Sequence, residues 1–290
     1  KNFLIYGFGK SGYASYKFLR KKNNCKIIDD NNRNIPSKYK NEIINYKQIN
    51  KNNFDYIVLS PGIDIHKCRL SAYLKKNSTK IITELDIFYQ NYPNIKKITI
   101  TGTNGKSTTS KLLYDVLKEH GKDVRLTGNI GNPVLLETNF KNSTLFIIEA
   151  SSYQLEYSKF FKSEYSLILN LSPDHLERHG NFKNYIKAKF KLIQNQSKTD
   201  YAFIEKHYLL DNLIKKNEIK SKIYRLNYKK YQKFYKLIIN EYFKSIPNFK
   251  NLSFVFAISK NLKLSLKKII NVANKFKQLE FRQQIVYQSE

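Results

Sequence analysis

The chain has 290 residues, 41% hydrophobic and 14% aromatic, with 52 Lys and Arg against 23 Asp and Glu, a formal charge of +29. That apolar content excludes a disordered chain, and the length predicts about two domains. The charge first suggests nucleic acid or an anionic membrane, but only seven of the basic residues are Arg and the lysines are spread along the chain. Together with heavy use of Asn, Ile, Tyr and Phe, which share AT-rich codons, this reads as compositional background on solvated faces, and neither nucleic acid nor membrane is expected as a partner.

Residues 2–6 (NFLIY) form a short apolar run that ends at Gly7, and a helical pattern follows over about 11–22. Short β-rich runs recur at 26–29, 55–60 and 80–83, the signature of a parallel α/β unit. A linker is expected at Pro93 and Asn94. The pattern restarts with KKITIT (96–101), a glycine turn, a helix over about 106–120, and β-like runs at 144–149, 166–170 and 200–205. From 206 to 280 short apolar runs alternate with lysines, with helical spacing clearest over 264–276, and the last residues look like the start of another strand. The fold class expected is α/β, with a Rossmann-like domain over 1–93 and a P-loop-type parallel-sheet domain over 94–290.

Cys25 and Cys68 lie 43 positions apart with no C-x-x-C pair, which argues against a disulfide framework or a zinc site and fits a reducing cytoplasm. No run of eighteen apolar residues predicts a membrane helix, and the opening glycines interrupt any signal peptide. With no Met in the sequence, a processed or trimmed start is expected.

Five segments carry chemistry. GFGKSG places Gly7, Gly9 and Gly12 in the G-x-G-x-x-G spacing between strand and helix, with Asp29 and Asp30 closing the next strand; such glycines let a backbone approach a diphosphate, and the acid can bind a hydroxylated group. ITGTNGKSTTSKLL (100–113) runs from a strand through Gly102, Thr103, Asn104 and Gly105 into Lys106, Ser107 and Thr108 at a helix start. Successive N–H groups there form an anion nest, Lys106 supplies a point charge for phosphates, and a hydroxyl can ligate Mg²⁺, although Ile100 stands where the strict pattern has its first glycine. Glu149 ends an apolar strand, the usual place for an acid that completes a Mg²⁺ shell. NLSPDHLERHG carries His175 and His179 at the same sheet edge, without the Glu that a zincin needs after its first His. YIKAKFKL (185–192) alone would be one more lysine cluster.

Together, TGTNGKST, GNIGNP (128–133), EASSYQLE, DHLERH with its following Y-x-x-A-K, and SPGI (60–63) resemble the Mur ligase family. The resemblance covers nearly the whole chain, is most specific over 98–190, and in SSYQLE points to the branch that adds D-glutamate. It implies an ATP-dependent ligase in peptidoglycan precursor synthesis, a cytoplasmic monomer that joins D-glutamate to UDP-N-acetylmuramoyl-L-alanine through an acyl phosphate. It further implies that Lys106 spreads charge during phosphoryl transfer, that Ser107 and Glu149 hold one Mg²⁺ and His175 contributes to a second, and that Lys189 carries a CO₂-derived carbamate. Asn129, Ser151 and Gln154 would line the muramoyl end, and Ser11, Gly12, Asp29 and Gly62 the UDP end, with Arg33 a weaker candidate. Asn251, in NFKNLSFVFA (248–257), and Arg282, in FKQLEFR (276–282), are what remains of the adenine and ribose segments. The family's third domain would begin just after residue 290, so the expectation is a chain that binds the UDP-precursor and ATP without completing ligation alone. The rival readings are a non-catalytic nucleotide- or UDP-sugar-binding protein and another ligase of the folylpolyglutamate type.

Overall fold

In a computed structural model, residues 1–31 and 35–277 are described. Arg33, Leu279, Arg282 and the last apolar stretch lie outside the described residues. The first ninety residues give β1 (Asn2–Tyr6), α1 (Lys10–Leu19), β2 (Asn24–Ile28), β3 (Tyr56–Leu59), α2 (Ser71–Lys76), β4 (Ile81–Ile82) and α3 (Glu84–Asn91). Their strands form a parallel sheet in the order β2-β1-β3-β4. Phe3 and Ile5 of β1 enter one apolar cluster while Leu4 and Tyr6 enter another. Burial on both faces is why this strand reads as an unbroken apolar run.

The second set is β5 (Lys96–Thr101), α4 (Lys106–Glu119), β6 (Val124–Gly128), β7 (Leu145–Glu149), α5 (Ser152–Glu156), β8 (Tyr165–Ile168), α6 (Leu176–His179) and α7 (Phe182–Gln194). It continues with β9 (Tyr201–Glu205), α8 (Tyr208–Lys216), β10 (Lys222–Leu226), α9 (Ile246–Asn261) and α10 (Leu266–Lys275). The six strands are all parallel, in the order β10-β9-β8-β5-β7-β6. In both sheets the connections reverse direction beside the first strand, between β1 and β3 and between β5 and β8. Loops part at such switch points and leave a crevice at the strands' C-terminal ends.

The alternation of apolar runs read over 206–280 resolves into two helices, an edge strand and 3-10 turns before α10. α9 starts with Pro247 in its first turn and buries residues from Asn248 and Phe249 to Ile258 and Ser259 around its circumference. A helix covered on most sides has no polar stripe to mark its period.

The two sheets share one apolar cluster, in which Phe88 of α3 meets Phe146 of β7 with ring centroids 5.0 Å apart. Between them runs a turn over 92–95. Lys97, fully buried at the start of β5, donates to the carbonyls of Tyr92, Pro93 and Ile95 and pairs with Glu164 at 3.6 Å. Burial pulls the Lys97 pKa down, and Glu164 opposes it. Asp86 of α3, also fully buried, holds the 158–161 turn from across the boundary: its Oδ1 accepts from the Ser158 hydroxyl and from the N–H groups of Lys159, Phe160 and Phe161 at 2.8–3.0 Å. Among the described residues no helix is long and apolar enough to cross a membrane.

Candidate active site

The loop from β5 to α4 is built to hold an anion. Gly105 caps α4 at φ +79°, a left-handed conformation that favours glycine, and a Cβ there would stand 2.3 Å from Asn251 Oδ1 and force that side chain aside. Asn170, just beyond β8, braces the turn by accepting from Asn104 N–H at 2.8 Å and donating to Asn104 O at 2.9 Å. Thr103 Oγ1 lies 3.0 Å from the Tyr185 hydroxyl. Lys106 folds back over its own loop, with Nζ donating to the carbonyls of Gly102 (3.0 Å) and Thr103 (2.8 Å). The open N–H groups of α4's first turn and the positive end of its dipole complete a phosphate cradle.

Above this cradle is a cleft of about 540 Å³, walled by Asn104, Gly105, Ser107 and Thr108 on one side and by Tyr242, Asn248, Asn251 and Phe254 on the other. The Tyr242 hydroxyl lies 3.0 Å from Thr108 Oγ1, and the Lys250–Glu205 ion pair (2.6 Å) stands at its edge. The docking of α9 brings Asn251 against the loop at Gly105.

Glu149 ends β7, fully buried. Its Oε1 accepts from Asn129 Nδ2 at 2.8 Å, and its carbonyl accepts from Asn129 N–H at 2.9 Å, which pins the 128–133 loop to the strand end. Gly128 lies at φ +103°, and a Cβ there would stand only 2.3 Å from the Glu149 carbonyl oxygen. The other carboxylate oxygen, Glu149 Oε2, and the hydroxyl of buried Ser107 have no hydrogen-bond partner among the described residues. A hydroxyl and a carboxylate oxygen left over in the interior are the donor types a hard divalent cation takes, so these residues fit a Mg²⁺ site. Among the described residues no group of three or more His, Cys, Asp and Glu converges.

The two histidines separate. His175 is 44% exposed, stands in the left-handed region at φ +52° and faces the second cleft, with its ring 4.9 Å from that of Tyr153. His179 is buried with Nε2 3.0 Å from Ser152 Oγ, and burial, reinforced by Arg178, pushes its pKa down to about 4. Lys189 is buried on α7, its Nζ donating to Gly102 O at 2.8 Å and lying 4.6 Å from the centre of the Tyr185 ring. Burial, with the charge of Lys106, pulls its pKa down to about 7. Near neutral pH a large share of this amine is uncharged.

The second cleft, about 720 Å³, lies between the two sheets. Gly7, Gly9, Ser11, Asp29, Gly62 and Glu84 line one side; Lys106, Asn129, Ser151, Gln154 and His175 line the other. Lys106 lines this cleft, while its chain neighbours Gly105 and Ser107 line the first. Gly12 is not on this wall: a Cβ there would fall 1.9 Å from Gly7 O, so its role is close packing of α1 on the β1 loop. Asp29 accepts from Phe8 N–H (2.5 Å) and Asn31 N–H (2.7 Å). Ser151 and Gln154 form a reciprocal capping box at the start of α5, and so shape the wall as well as bordering it. Sequence reasoning missed Glu84, Asn170 and Tyr242. Glu84 had a nearby signal in the T-x-x-D capping box of Thr83 and Asp86, and Asn170 opens the NLSPDHLERHG segment, whereas Tyr242 had none.

Comparison with known proteins agrees with this architecture. Residues 100–276 match the Mur ligase middle domain. The UDP-N-acetylmuramoylalanine--D-glutamate ligase of Rickettsia bellii is 33% identical over 98% of this chain and 68% of its own length. That of Caldicellulosiruptor bescii is 36% identical over 70% of this chain and 47% of its own. The UDP-N-acetylmuramate:L-alanyl-gamma-D-glutamyl-meso-diaminopimelate ligase of Neisseria meningitides has the same fold, with a TM-score of 0.60 at 13% identity over 97% of this chain and 99% of that one. The chain belongs to the Mur ligase family, the class its parallel sheets and phosphate cradle define. Within it, the curated relatives named above are D-glutamate ligases.

Proposed function

We infer that this protein is an ATP-dependent ligase that joins D-glutamate to UDP-N-acetylmuramoyl-L-alanine for peptidoglycan, acting in the cytoplasm as a monomer. The observation that carries this reading is the meeting of the phosphate cradle and the inter-sheet cleft at Lys106, beside the unpartnered oxygens of Ser107 and Glu149. The names of its relatives supply the substrates.

On this reading the UDP end of the precursor lies along Ser11, Asp29 and Gly62, and the muramoyl end along Asn129, Ser151 and Gln154. The precursor's carboxylate then approaches Lys106 from the inter-sheet side while the γ-phosphate approaches from the cradle. The carboxylate oxygen takes the γ-phosphoryl group from ATP, with ADP as the leaving group, and the amine of D-glutamate attacks the acyl phosphate and expels phosphate. Two anions must meet, so Lys106 exchanges its loop carbonyls for phosphoryl oxygens and lowers the charge between them. Ser107 and Glu149 would hold a Mg²⁺ and His175 would contribute to a second, supplying further neutralisation of the transferring phosphoryl group. Lys189, its amine partly uncharged beside the cradle, is suited to capture CO₂ as a carbamate, which would replace a cation near Mg²⁺ with an anion. Asn251 faces the nucleotide.

The deciding measurement, made on the longest available chain, is Mg²⁺-dependent phosphate release from ATP with UDP-N-acetylmuramoyl-L-alanine and either D-glutamate or a rival amino acid. Release should require the precursor, prefer D-glutamate and collapse in Lys106→Ala. Release indifferent to the precursor, or unchanged by that substitution, would overturn the assignment.

A further inference from the structure

Among the described residues, Glu84 is the one buried carboxylate in the inter-sheet cleft that the reaction above does not use. It opens α3, is 4% exposed and has no basic partner among the groups that shift it. Its Oε1 accepts from Leu135 N–H at 3.2 Å, and its Oε2 accepts the Ser11 hydroxyl proton at 2.6 Å. Ser11 lies in the first turn of α1, whose N-terminus has no side-chain cap and lines the cleft.

This arrangement has the wrong polarity for an anion. A hydroxyl has one proton, and with that proton spent on Glu84 the Ser11 oxygen offers only lone pairs to whatever occupies the cleft. A bound diphosphate would also place like charge beside a desolvated carboxylate. Protonation removes both conflicts. Because Leu135 N–H holds Oε1 as an acceptor, the added proton belongs on Oε2; Glu84 then donates to Ser11, and the Ser11 proton is released to point at a phosphate oxygen.

We propose that Glu84 and Ser11 form a proton-linked latch, so that binding of the UDP-precursor's diphosphate takes up one proton from solvent at Glu84. The proposal rests on the placement of the UDP end at Ser11 given above. Burial, the dominant influence on Glu84, raises its pKa to about 7, which puts the uptake within the working range. Glu84 shares its recess with Ser11 of α1, Pro61 of the loop after β3 and Tyr153 and Gln154 of α5. Tyr153 is the titratable member, and burial raises its pKa further above that range. Lys10, Asp29, Lys106 and His175 border the wider cleft.

The test is calorimetric titration of the protein with UDP-N-acetylmuramoyl-L-alanine, without ATP, in buffers of differing ionisation enthalpy at about pH 6 and about pH 8. For the wild type, linkage predicts uptake approaching one proton at about pH 8 and little at about pH 6, with affinity falling by up to about tenfold per pH unit above 7. Glu84→Gln, whose amide can donate to Ser11 permanently, should bind with pH-independent affinity and without that proton. Ser11→Ala, which removes the relay, should weaken binding and shrink the uptake. Precursor binding with the same proton count in wild type and Glu84→Gln would overturn the latch alone. Failure of the wild type to bind the precursor at either pH would overturn the latch together with the cleft assignment. Should Glu84→Gln misfold, Ser11→Ala with undiminished uptake would overturn the latch equally.

Discussion

Replacing Asp86 by alanine tests what holds the two halves of the cleft in register. The carboxylate accepts four backbone N–H groups, from Thr83, Lys159, Phe160 and Phe161, and two hydroxyls, from Thr83 and Ser158, with no solvent access. The hydroxyls can rotate to other acceptors, but the amides cannot. At the low end of the cost of an unmade buried hydrogen bond, four stranded amides destabilise the fold by about 4 kcal/mol. Relief from burying an ionised group offsets a fraction of this, leaving about 3 kcal/mol, a large part of ordinary domain stability. For a chain of this size that corresponds to a fall in melting temperature of roughly 6–12 °C. Asp86→Asn retains Oδ1 for the 158–161 turn and turns an amide against Thr83 N–H, so it should lie between wild type and alanine. Thermal unfolding followed by circular dichroism gives the order, and amide exchange at Lys159, Phe160 and Phe161 should accelerate in Asp86→Ala. An alanine variant melting within about 2 °C of wild type would refute the bookkeeping, as would an asparagine variant less stable than alanine.

Gly105→Ala should abolish nucleotide binding while the chain still folds, because the new methyl group must displace Asn251 and hold a left-handed conformation; retained affinity for an ATP analogue by calorimetry would contradict this. Glu84 should also leave a mark on stability. Its folded pKa is raised from 4.5 to about 7, so below the lower value both states hold the proton. As pH rises between these values the unfolded chain loses its proton first, and stability falls by about 3 kcal/mol before levelling off. Chemical denaturation of Glu84→Gln should therefore show an advantage over wild type that grows from pH 5 to pH 8; a constant difference would argue against it. For Lys189, ¹³C-bicarbonate should produce a carbamate carbon signal that is lost in Lys189→Arg, and its absence from wild type at pH 8 would remove the carbamate from the mechanism.

Strands covered on both faces were legible in the sequence because parallel sheets favour continuous apolar runs, and β1 and β7 follow that rule, whereas buried β5 alternates Ile with Thr. β6 and β10 were not, since edge strands keep residues such as Arg125 and Arg225 in partial contact with water. The phosphate cradle was legible because its requirements are local: a strand end, glycines where the backbone turns, a lysine and a hydroxyl at a helix start. The rest of the site is assembled by topology. Asn170 reaches the cradle because β8 lies beside β5, and Glu84 reaches Ser11 because α3 packs on α1. The sequence excluded a zincin-type pairing of His175 and His179 but not their separate placements; the packing of α6 turns one ring inward to Ser152 and leaves the other in the cleft.

The seating of Asn251 against Gly105 has a consequence for biosynthesis. Gly105 of the cradle leaves the ribosome 146 residues before Asn251, the α9 residue seated against it, and domains assemble as the chain emerges. β5 and α4 can pair early through local contacts, whereas the nucleotide cleft has no second wall until α9 arrives. Protection of the nascent chain by ATP would begin only then, so the ligand cannot stabilise the intermediates that precede it, and that interval is when the lobe relies most on its own core.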